Sequence, residues 1–565
     1  MMRMNAALVG TIAGLGWLAA QPAVSTEAAF HPVTEAISRN PDPGDWLHWR
    51  RTLDGWGFSP LTQITTKNVK GLQLVWSATL EAGASQAAPI AYEGVIYMAS
   101  PGGVVQALDG VTGDTRWEYR RTPAVVRRNL AIYDDKIIVN TVDAHILALD
   151  ARTGRLVWET TVADTRKGYS FSSGAIAVEG KAISGLTGCG RYKDDVCYIT
   201  AHDIKTGKEA WRTSTIARPG EPGGDTWGNL GLNFRAGGDA WIPGSYDPEA
   251  RLIYWGVAQA KPWTRVQRGT DGDALYTGST LALDPDTGRI AWYFQHLPGE
   301  THDLDEVFES LLINDGGRRS LFKMGKLGVM WELDRRSGRF LSAHDLGYQT
   351  LVTIDPASGK ALYRAEMIPK LNQAISYCPG PGGFKNLTAM AYHPATKAFY
   401  VPLSLTCTEA VFGAMKQEDG GGGTGPAARS SLPHPASPKD LGEFVAMDKA
   451  TGRLLWRHRQ PAPFNSAALT TGGGLVFVGD YSRRFTAFDA ASGARLWETR
   501  TTGAPQGFPI SYSVGGRQFI AVVSGPGTTW NLINVPALQP NAPQPKPGSA
   551  IHVFALPSGQ AASVR

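Results

Sequence analysis

A repeated hairpin pattern constrains the fold of this chain more than any other feature of its sequence. In each copy an apolar strand ends in Asp, two residues intervene, Thr or Ser precedes Gly, and a second strand usually closes on Trp. The Asp side chain can cap backbone donors of the turn, and Gly supplies the positive φ that the turn needs. We expect each terminal Trp to pack against the next unit. The complete copies end at Trp117, Trp158, Trp211, Trp292, Trp456 and Trp497, and degenerate copies surround Asp334 and Asp355.

The spacing of the copies indicates units of four strands. Asp109 and Asp150 are 41 residues apart, which is about the length of one blade of a β-propeller. We therefore predict an all-β propeller, and a single large domain in place of the three or four domains that the chain length alone suggests. Asp334 and Asp355 are only 21 residues apart. That is too close to end two separate blades, so the number of repeats and the number of blades need not agree.

Composition agrees with a large folded unit. Of the 565 residues, 42% are hydrophobic and 19% are charged, a balance that excludes disorder, and the 66 glycines suit short strands joined by tight turns. The formal net charge is only +5, and no Lys/Arg cluster is interleaved with aromatic residues. Nucleic-acid binding therefore has little support.

The first residues have the features of a cleavable signal peptide. Arg3 precedes an apolar run from Ala6 to Ala20, and small residues lie between Ala23 and Ala28. The alternative is a buried N-terminal helix. No later run is long enough to span a bilayer. We expect residues 1–28 to be removed and residues 29–565 to form a soluble propeller domain outside the cytoplasm.

The four cysteines suit an oxidising compartment. They fall into two local pairs, Cys189 with Cys197 and Cys378 with Cys407, and such surroundings favour disulfides. No C-x-x-C-H motif is present, so no c-type haem is attached to this chain. If the protein passes electrons to haem, the haem belongs to a partner.

Two segments near the C-terminus differ from the repeat. Residues 416–438 are of low complexity and predict a mobile surface loop, or less plausibly a hinge between domains. After a proline-rich connector, residues 551–559 read IHVFALPSG and predict a strand that pairs with the N-terminal sequence. Such pairing would close the ring of blades and remove its free sheet edges.

The repeat A-x-D-x-x-T-G-x-x-x-W, together with RTLDGWGFSPLTQITTKNVKGLQLVW at residues 51–76, resembles the quinoprotein alcohol dehydrogenases, which include the methanol dehydrogenases. The resemblance covers nearly the whole mature chain. It implies an eight-bladed β-propeller with tryptophan-docking repeats. It also implies a periplasmic enzyme that oxidises an alcohol with pyrroloquinoline quinone (PQQ) held over a metal ion and passes electrons to an external acceptor such as a soluble cytochrome c.

The sharpest local match is GETHDLDEVFE, residues 299–309, in which His302 stands where Trp is usual. By resemblance, Asp303 is a metal ligand and the catalytic base that removes the substrate hydroxyl proton while hydride passes to the quinone. Asp305 takes the place of an additional acidic ligand in lanthanide-using relatives. The alternative for both carboxylates is a role in a turn.

Other matched segments nominate the cofactor pocket. Trp241 corresponds to the stacking floor beneath the cofactor, and Lys326 to a basic group that faces the quinone oxygens and stabilises negative charge. Arg128 corresponds to an arginine that binds a cofactor carboxylate. Gln259 stands where the family has an Asn metal ligand. By the same resemblance the pocket also includes Gln86, Ser173, Thr187, Asn386 and Trp530.

Two departures from the family pattern leave questions open. Residues 122–129, TPAVVRRN, lack the adjacent cysteines that cover the cofactor in relatives, so the Val pair is a candidate for part of that cover. Residues 186–203 match the segment of the usual glutamate metal ligand but contain no Glu. Asp194 or Asp195 could replace it, or the ring closed by Cys189 and Cys197 could reshape the site. Hard cations need oxygen donors, and both Ca²⁺ and a lanthanide remain open.

Two other functions compete with this interpretation. A non-catalytic periplasmic scaffold propeller carries the same hairpins, because the repeat specifies fold more than function. It has no need of the charged group formed by Arg128, Asp303, Asp305 and Lys326, which favours an enzyme. A sugar or polymer-alcohol dehydrogenase would use the same chemistry with a different pocket mouth. The altered cover indicates an alcohol other than methanol, bulky or secondary.

Overall fold

The repeat hairpins form the outer halves of larger antiparallel sheets. The computed structural model describes residues 30–423, 425–546 and 548–558, so the predicted signal peptide lies outside the described residues. Within this part of the chain there are eight sheets of four antiparallel strands, one of which carries a fifth strand. In seven of them the repeat supplies the third and fourth strands. The predicted all-β class is confirmed.

The strands of each sheet follow one another along the chain, except in sheet 8. Sheets 1 to 4 comprise Ile90–Tyr92, Val95–Ser100, Val104–Asp109 and Thr115–Arg120; Ala131–Tyr133, Lys136–Asn140, His145–Asp150 and Leu156–Thr161; Ile176–Val178, Lys181–Gly185, Tyr198–Asp203 and Glu209–Ser214; and Ser245–Asp247, Leu252–Gly256, Ser279–Leu283 and Ile290–Gln295. Sheets 5 to 8 comprise Ser310–Asp315, Arg318–Met324, Val329–Asp334 and Phe340–Asp345; Ala391–His393, Ala398–Ser404, Gly442–Asp448 and Leu454–Gln460; Leu469–Thr471, Leu475–Gly479, Arg484–Asp489 and Arg495–Arg500; and Ala504–Val514, Arg517–Gly525, Ser549–Ala555 and Gln73–Leu80.

Sheet 8 joins the two ends of the described chain. Ser549–Ala555 pairs antiparallel with Gln73–Leu80, which takes the outer edge. The predicted pairing of the C-terminal strand with the N-terminal sequence is therefore confirmed. Phe58–Ser59 adds a short parallel strand to the inner edge of sheet 7. Both contacts satisfy strand edges that would otherwise be open.

The Trp of each repeat contacts the turn of the next repeat. Trp117 Nε1, for example, donates to the carbonyl oxygen of Ala151 at 2.9 Å. Gly154 in that same turn has φ 70°, and a Cβ added there would lie 2.5 Å from the Trp117 ring. The turn therefore needs Gly for two reasons, its left-handed backbone and the space that the indole occupies. Equivalent indole-to-carbonyl bonds are made by Trp76, Trp158, Trp211, Trp292, Trp456 and Trp497.

The degenerate copy at Asp355 lies outside the four-stranded sheets. It forms an isolated hairpin of Val352–Ile354 and Ala361–Tyr363, which explains why it follows the Asp334 copy so closely. Smaller sheets are formed by Ala236–Gly237 with Ala260–Lys261, and by Ala374–Tyr377, Thr406–Val411 and Ala428–Pro433. The helices are Glu35–Arg39, Arg265–Arg268 and Thr529–Leu538, with 3-10 turns at Val69–Gly71, Pro101–Gly103, Thr165–Lys167, Gly224–Trp227, Leu232–Phe234 and Ala365–Met367.

The low-complexity segment 416–438 differs from the loop that its composition suggests. It contains the strand Ala428–Pro433, which pairs with Thr406–Val411. Farther upstream, Tyr192 donates its backbone N–H to the carbonyl oxygen of Gly421 at 2.8 Å. Backbone hydrogen bonds thus connect this segment to other parts of the chain at Gly421 and at Ala428–Pro433. Such bonds do not require apolar side chains, so the composition of the segment did not indicate them.

The inner strands of the sheets form the core. Val95–Ser100 and Ser279–Leu283 are buried along their whole length, whereas Thr115–Arg120, a fourth strand, is buried only at Trp117. Strands covered on both faces read as continuous apolar runs, and strands covered on one face alternate. Among the described helices, none has the length and apolar character needed to cross a membrane.

Candidate active site

The predicted site residues all lie at one end of the sheets. In a sheet of four antiparallel strands, the connection from the second to the third strand and the connection into the next sheet emerge at the same end. All eleven residues fall in these two kinds of connection. The repeat turns, between third and fourth strands, emerge at the opposite end. Topology alone therefore gathers the candidate chemistry on one face.

A pocket of about 300 Å³ opens at this end. Its walls include Gly382, Phe384, Leu387, Phe464 and Asn531. Eight of the eleven predicted residues also line it, namely Gln86, Arg128, Trp241, Asp303, Asp305, Lys326, Asn386 and Trp530.

The other three predicted residues are not in the lining. Ser173 Oγ lies 3.3 Å from Arg128 Nη1 and thus supports a lining residue. Gln259 is fully buried, and its backbone N–H donates to Asp305 Oδ1 at 3.3 Å. Thr187 donates to the carbonyl oxygen of Ser170 at 3.0 Å. Ser173 and Gln259 therefore belong to the layer behind the pocket.

Asp303, Asp305 and Lys326 form the charged centre of the pocket. Lys326 Nζ lies 3.3 Å from Asp303 Oδ2 and 2.8 Å from Asp305 Oδ2, and all three residues are buried. Burial lowers the pKa of Lys326, but the charges of the two aspartates outweigh it and raise that pKa above its ordinary value. Burial raises the pKa of Asp303, and neighbouring ammonium groups oppose the shift. The lysine thus remains charged beside a carboxylate that can accept a proton.

A second lysine, absent from the sequence predictions, reaches the same carboxylate. Lys261 Nζ lies 3.1 Å from Asp303 Oδ1. Lys261 belongs to WGVAQAKPW, in which only Gln259 was singled out. Its proximity to Asp303 depends on the pairing of Ala260–Lys261 with Ala236–Gly237. No sequence spacing indicates that pairing.

Arg128 and Trp241 form one wall of the pocket. The Arg128 Cζ atom lies 5.0 Å from the Trp241 ring centroid, and Nη1 donates to the Trp241 carbonyl oxygen at 2.9 Å. Arg128 Nε donates to Gln86 Oε1 at 3.0 Å. Burial and the charge of Arg127 lower the pKa of Arg128 to about 10, so the guanidinium stays charged at neutral pH. Within the described chain no carboxylate pairs with it.

Trp530 and Asn386 lie on another part of the wall. Trp530 is in helix Thr529–Leu538, and its ring would be 3.0 Å from a Cβ added to Gly382. Asn386 Nδ2 donates to the carbonyl oxygen of Gly382 at 2.7 Å. Arg429 lies over the outer face of the Trp530 indole, with Cζ 4.8 Å from the ring centroid. Arg429 belongs to strand Ala428–Pro433, so the low-complexity segment contacts a residue of the pocket lining.

Three side chains at this end of the sheets offer oxygen donors that suit a cation: those of Gln259, Asp303 and Asp305. Both polar atoms of the buried Gln259 amide lack a hydrogen-bond partner within the described residues, an unusual state for a buried polar group. Asp303 and Asp305 both contact Lys326, and Asp305 accepts from the Gln259 backbone N–H. Carboxylate and amide oxygens are the ligands that hard cations prefer. This donor set fits a metal ion that would satisfy the Gln259 side chain.

The suggested replacements for the missing glutamate are wrong. Asp194 is exposed and pairs with Lys167 at 2.6 Å, and Asp195 pairs with Arg218 at 2.8 Å. Neither residue lines the pocket. The candidate that sequence analysis missed is Asp239, which accepts from the Cys189 backbone N–H at 3.2 Å.

Asp239 shares the electrostatic environment of the charged centre. Burial raises its pKa, the charge of Lys261 opposes the rise, and the charge of Asp305 adds to it. Its backbone carbonyl accepts from Ala258, next to Gln259, at 2.9 Å. The only sequence signal was its position two residues before Trp241 in RAGGDAW.

The two disulfides are present as predicted. Cys189 is bonded to Cys197, and Cys378 to Cys407. The Val pair has a different place from the one suggested, because Val125 and Val126 are buried and neither lines the pocket. Val126 packs with core residues of sheets 2 and 3.

His302 and its neighbours form a buried layer behind the charged centre. The His302 ring lies 4.5 Å from the Tyr377 ring, centroid to centroid, and burial lowers its pKa to about 3. Burial raises the pKa of Glu300 to about 7 and that of Glu306 to about 8. At neutral pH this layer therefore contains a neutral imidazole and carboxyl groups that are protonated in part.

Comparison with known proteins agrees with this geometry. Residues 46–343 match the family described as glucose/ethanol/alcohol dehydrogenase, β-propeller domain, with PQQ in its name, and residues 347–526 match outer membrane protein assembly factor BamB. The chain is 31% identical to quinohemoprotein alcohol dehydrogenase ADH IIB of Pseudomonas putida, over 95% of this chain and 80% of that protein. It is 32% identical to quinoprotein alcohol dehydrogenase PedH of P. putida, over 84% and 85%.

Solved structures give the same result. A europium-containing methanol dehydrogenase superposes with a TM-score of 0.82 at 26% identity, covering 92% of this chain and 99% of that one. The predicted β-propeller is confirmed by the family match. The chain belongs to the PQQ-dependent quinoprotein alcohol dehydrogenases and is an oxidoreductase of that family.

Proposed function

We propose that this pocket oxidises an alcohol to the carbonyl compound, using PQQ and a metal ion. The observation that carries the proposal is the presence of a carboxylate and two cations, Asp303, Lys326 and Arg128, in the lining of one pocket. A scaffold propeller has no use for buried charges there, since each costs desolvation free energy.

The uncompensated charge of Arg128 supports binding of a cofactor carboxylate, for which a guanidinium fork is suited. Trp241 offers a flat stacking surface and Lys326 a cation for the quinone oxygens. When bound, PQQ supplies the hydride acceptor of the reaction. We assign further cofactor contacts to Gln86, Asn386 and Trp530, which line the pocket. Ser173 and Thr187 lie outside that lining, and Ser173 contacts Arg128 from behind it.

For the metal we propose Gln259, Asp303 and Asp305 as ligands. The unpartnered side-chain amide of Gln259 supports this assignment, as does the bond from the Gln259 backbone N–H to Asp305. The ion, Ca²⁺ or a lanthanide, supplies a Lewis acid when bound. Asp305 offers the extra anionic oxygen that favours a trivalent ion.

The protein residues then have separate tasks in the reaction. Asp303 accepts the proton of the substrate hydroxyl at a carboxylate oxygen, which is the role of a general base. Lys326 stabilises the negative charge that develops on the quinone oxygens. Trp530 and Phe464 at the rim exclude water and contact the alcohol substituent.

We also propose the number of blades, the cellular location, the electron acceptor and the class of substrate. The eight sheets are eight blades with docked tryptophans, the enzyme works in the periplasm after export, and its acceptor is a soluble cytochrome c. The substrate is a bulky or secondary alcohol. Sugar and polymer alcohols are the alternative substrates, since only the pocket mouth would distinguish them.

Reconstitution tests the proposed function. Purified protein is loaded with PQQ and either Ca²⁺ or La³⁺, and dye reduction is followed over a panel of primary, secondary, bulky and sugar alcohols. In parallel, quinone affinity is measured for Arg128→Met and for its neighbour Arg127→Met, which lies outside the pocket lining. We expect at least tenfold weaker binding for the first variant alone. Equal affinities, or no alcohol-dependent turnover with either metal, would refute the proposal.

A further inference from the structure

Lys261 places a second ammonium group on the proposed base. Each carboxylate oxygen of Asp303 faces a different lysine, Oδ1 facing Lys261 at 3.1 Å and Oδ2 facing Lys326 at 3.3 Å. Only 19% of the Lys261 side chain and 11% of the Asp303 side chain are exposed. Water therefore screens this contact less than it screens a surface ion pair.

The backbone holds Lys261 in this position. Ala260–Lys261 pairs antiparallel with Ala236–Gly237, and Cα of Lys261 lies opposite Ala236. The Lys261 ammonium also lies 5.3 Å from the centroid of the Trp263 ring, a distance at which a cation is attracted to the indole face. The lysine thus approaches Asp303 from a fixed strand.

The charges around Asp303 nearly cancel without a metal ion. With every group in its charged form, Asp239, Asp303 and Asp305 carry three negative charges, and Lys261 and Lys326 carry two positive ones. A cation that binds Asp303 must share its oxygens with the two ammonium groups. Because Coulomb repulsion grows with the product of the charges, a trivalent ion is repelled more strongly than a divalent one.

We propose that Lys261 determines the metal preference of this site by competing with the cation for Asp303, which lowers metal affinity and disfavours trivalent ions relative to Ca²⁺. This inference rests on the proposed function, in which Asp303 and Asp305 are metal ligands. The inference assigns a role to Lys261, whose positive charge partly neutralises the carboxylate of Asp303. It also opposes the effect of Asp305, so the two residues together set the balance between Ca²⁺ and a lanthanide.

Metal titration tests the inference without any measurement of turnover. Metal-free protein is titrated with Tb³⁺, followed by luminescence sensitised by tryptophan, and with Ca²⁺ in competition, both with and without saturating PQQ. The variants are Lys261→Met, Lys261→Gln and Lys261→Arg. The matched control is Lys167→Met, which removes an equal charge from the surface pair with Asp194. Circular dichroism confirms that each variant is folded.

The inference predicts a specific pattern of affinities. Lys261→Met and Lys261→Gln should each bind Tb³⁺ at least tenfold more tightly than the unchanged protein, with a smaller gain for Ca²⁺. Lys261→Arg, which keeps the charge, and Lys167→Met should both stay within about twofold of the unchanged protein.

A further variant tests the proposed metal site separately from the role inferred for Lys261. Asp305→Ala should weaken Tb³⁺ binding if the metal site is placed correctly. If Asp305→Ala weakens binding but the uncharged Lys261 variants do not strengthen it, or if Ca²⁺ gains as much as Tb³⁺, the inference is overturned and the proposed metal site stands. If Asp305→Ala has no effect, the metal site is misplaced and both fail.

Discussion

Lys326 holds the main chain and the side chain of Asp303 at the same time. Its ammonium donates to the Asp303 carbonyl oxygen at 2.7 Å and lies 3.3 Å from Oδ2 of the same residue. Asp303 has φ 68°, in the left-handed region that residues other than Gly seldom occupy. Such a conformation persists only where surrounding contacts over-determine it. The lysine thus fixes both the backbone and the direction of the carboxylate.

Replacing Asp303 by Asn should abolish turnover while metal and quinone remain bound. The amide keeps the size of the side chain but cannot accept the hydroxyl proton, and general-base catalysis contributes about 10²- to 10⁴-fold. The measurement is turnover with bound metal and PQQ quantified in the same samples. Near-normal turnover in a fully loaded variant would exclude Asp303 as the base.

Replacing Lys326 by Met should destabilise the fold as well as the reaction. The variant leaves the buried carboxylates of Asp303 and Asp305 with less compensating charge, and removal of one partner from a buried ion pair costs about 3–5 kcal/mol. Urea unfolding measures the change. Lys326→Arg is the control, since it retains a cation and should lose less than half as much. Equal losses in the two variants would mean that shape, and not charge, is what matters here.

The sequence predicted much of the fold because its strongest signals are local. The Asp-x-x-Thr-Gly turn needs a positive φ at Gly154, and the space beside Trp117 admits no side chain there. Because of these two requirements, every copy of the repeat has Gly at this position. The copy at Asp355 obeys the same local rules yet forms only a two-stranded hairpin, because local turn chemistry does not determine which sheet a hairpin joins.

Site residues were predicted where they belong to segments that resemble the family pattern, and they were missed where only strand pairing brings them to the site. Asp303 and Lys326 were identified from matched segments, and both line the pocket. Lys261 and Asp239 were overlooked, because their place depends on the pairing of Ala236–Gly237 with Ala260–Lys261. Residue types at such positions carry no periodic signal. Only the three-dimensional structure shows that they share one charged centre.

Asp305→Ala should alter metal preference more than catalysis. A trivalent ion gains most from an extra anionic oxygen, so the loss of affinity should be greater for a lanthanide than for Ca²⁺. Activity with each cation, together with metal stoichiometry, measures the effect. Unchanged profiles for both metals would leave the Asp305 carboxylate as part of a turn and a partner of Lys326.

Loss of either disulfide should destabilise the protein, and the two losses should differ. The Cys189–Cys197 bond closes a separation of 8 residues and the Cys378–Cys407 bond a separation of 29. Loop-closure entropy then gives about 2.5 kcal/mol for the first and about 3.6 kcal/mol for the second. Unfolding of Cys189→Ser/Cys197→Ser and Cys378→Ser/Cys407→Ser double variants measures the difference. A greater loss for the shorter ring would show that strain or local packing dominates.

His552, in sheet 8, should make the stability of the protein depend on pH. It lies in strand Ser549–Ala555, is 4% exposed, and its Nε2 is 2.9 Å from Ser524 Oγ. Burial lowers its pKa to about 4, below the value of about 6.5 in an unfolded chain. Between these values the unfolded chain binds a proton that the native protein excludes. Stability from this residue is therefore complete above about pH 6.5 and is lost as the pH falls towards 4, by up to about 3 kcal/mol.

The variant His552→Gln isolates this contribution, because an amide can still bond to Ser524 but does not titrate. Urea unfolding of both proteins at pH 7.5 and pH 4.5 gives two differences in unfolding free energy. Buried carboxyl groups such as Asp54, whose pKa burial raises to about 6, titrate equally in both proteins and cancel. We expect the unchanged protein to lose about 2–3 kcal/mol more than the variant on acidification. Parallel losses in the two proteins would show that His552 is protonated in the native sheet.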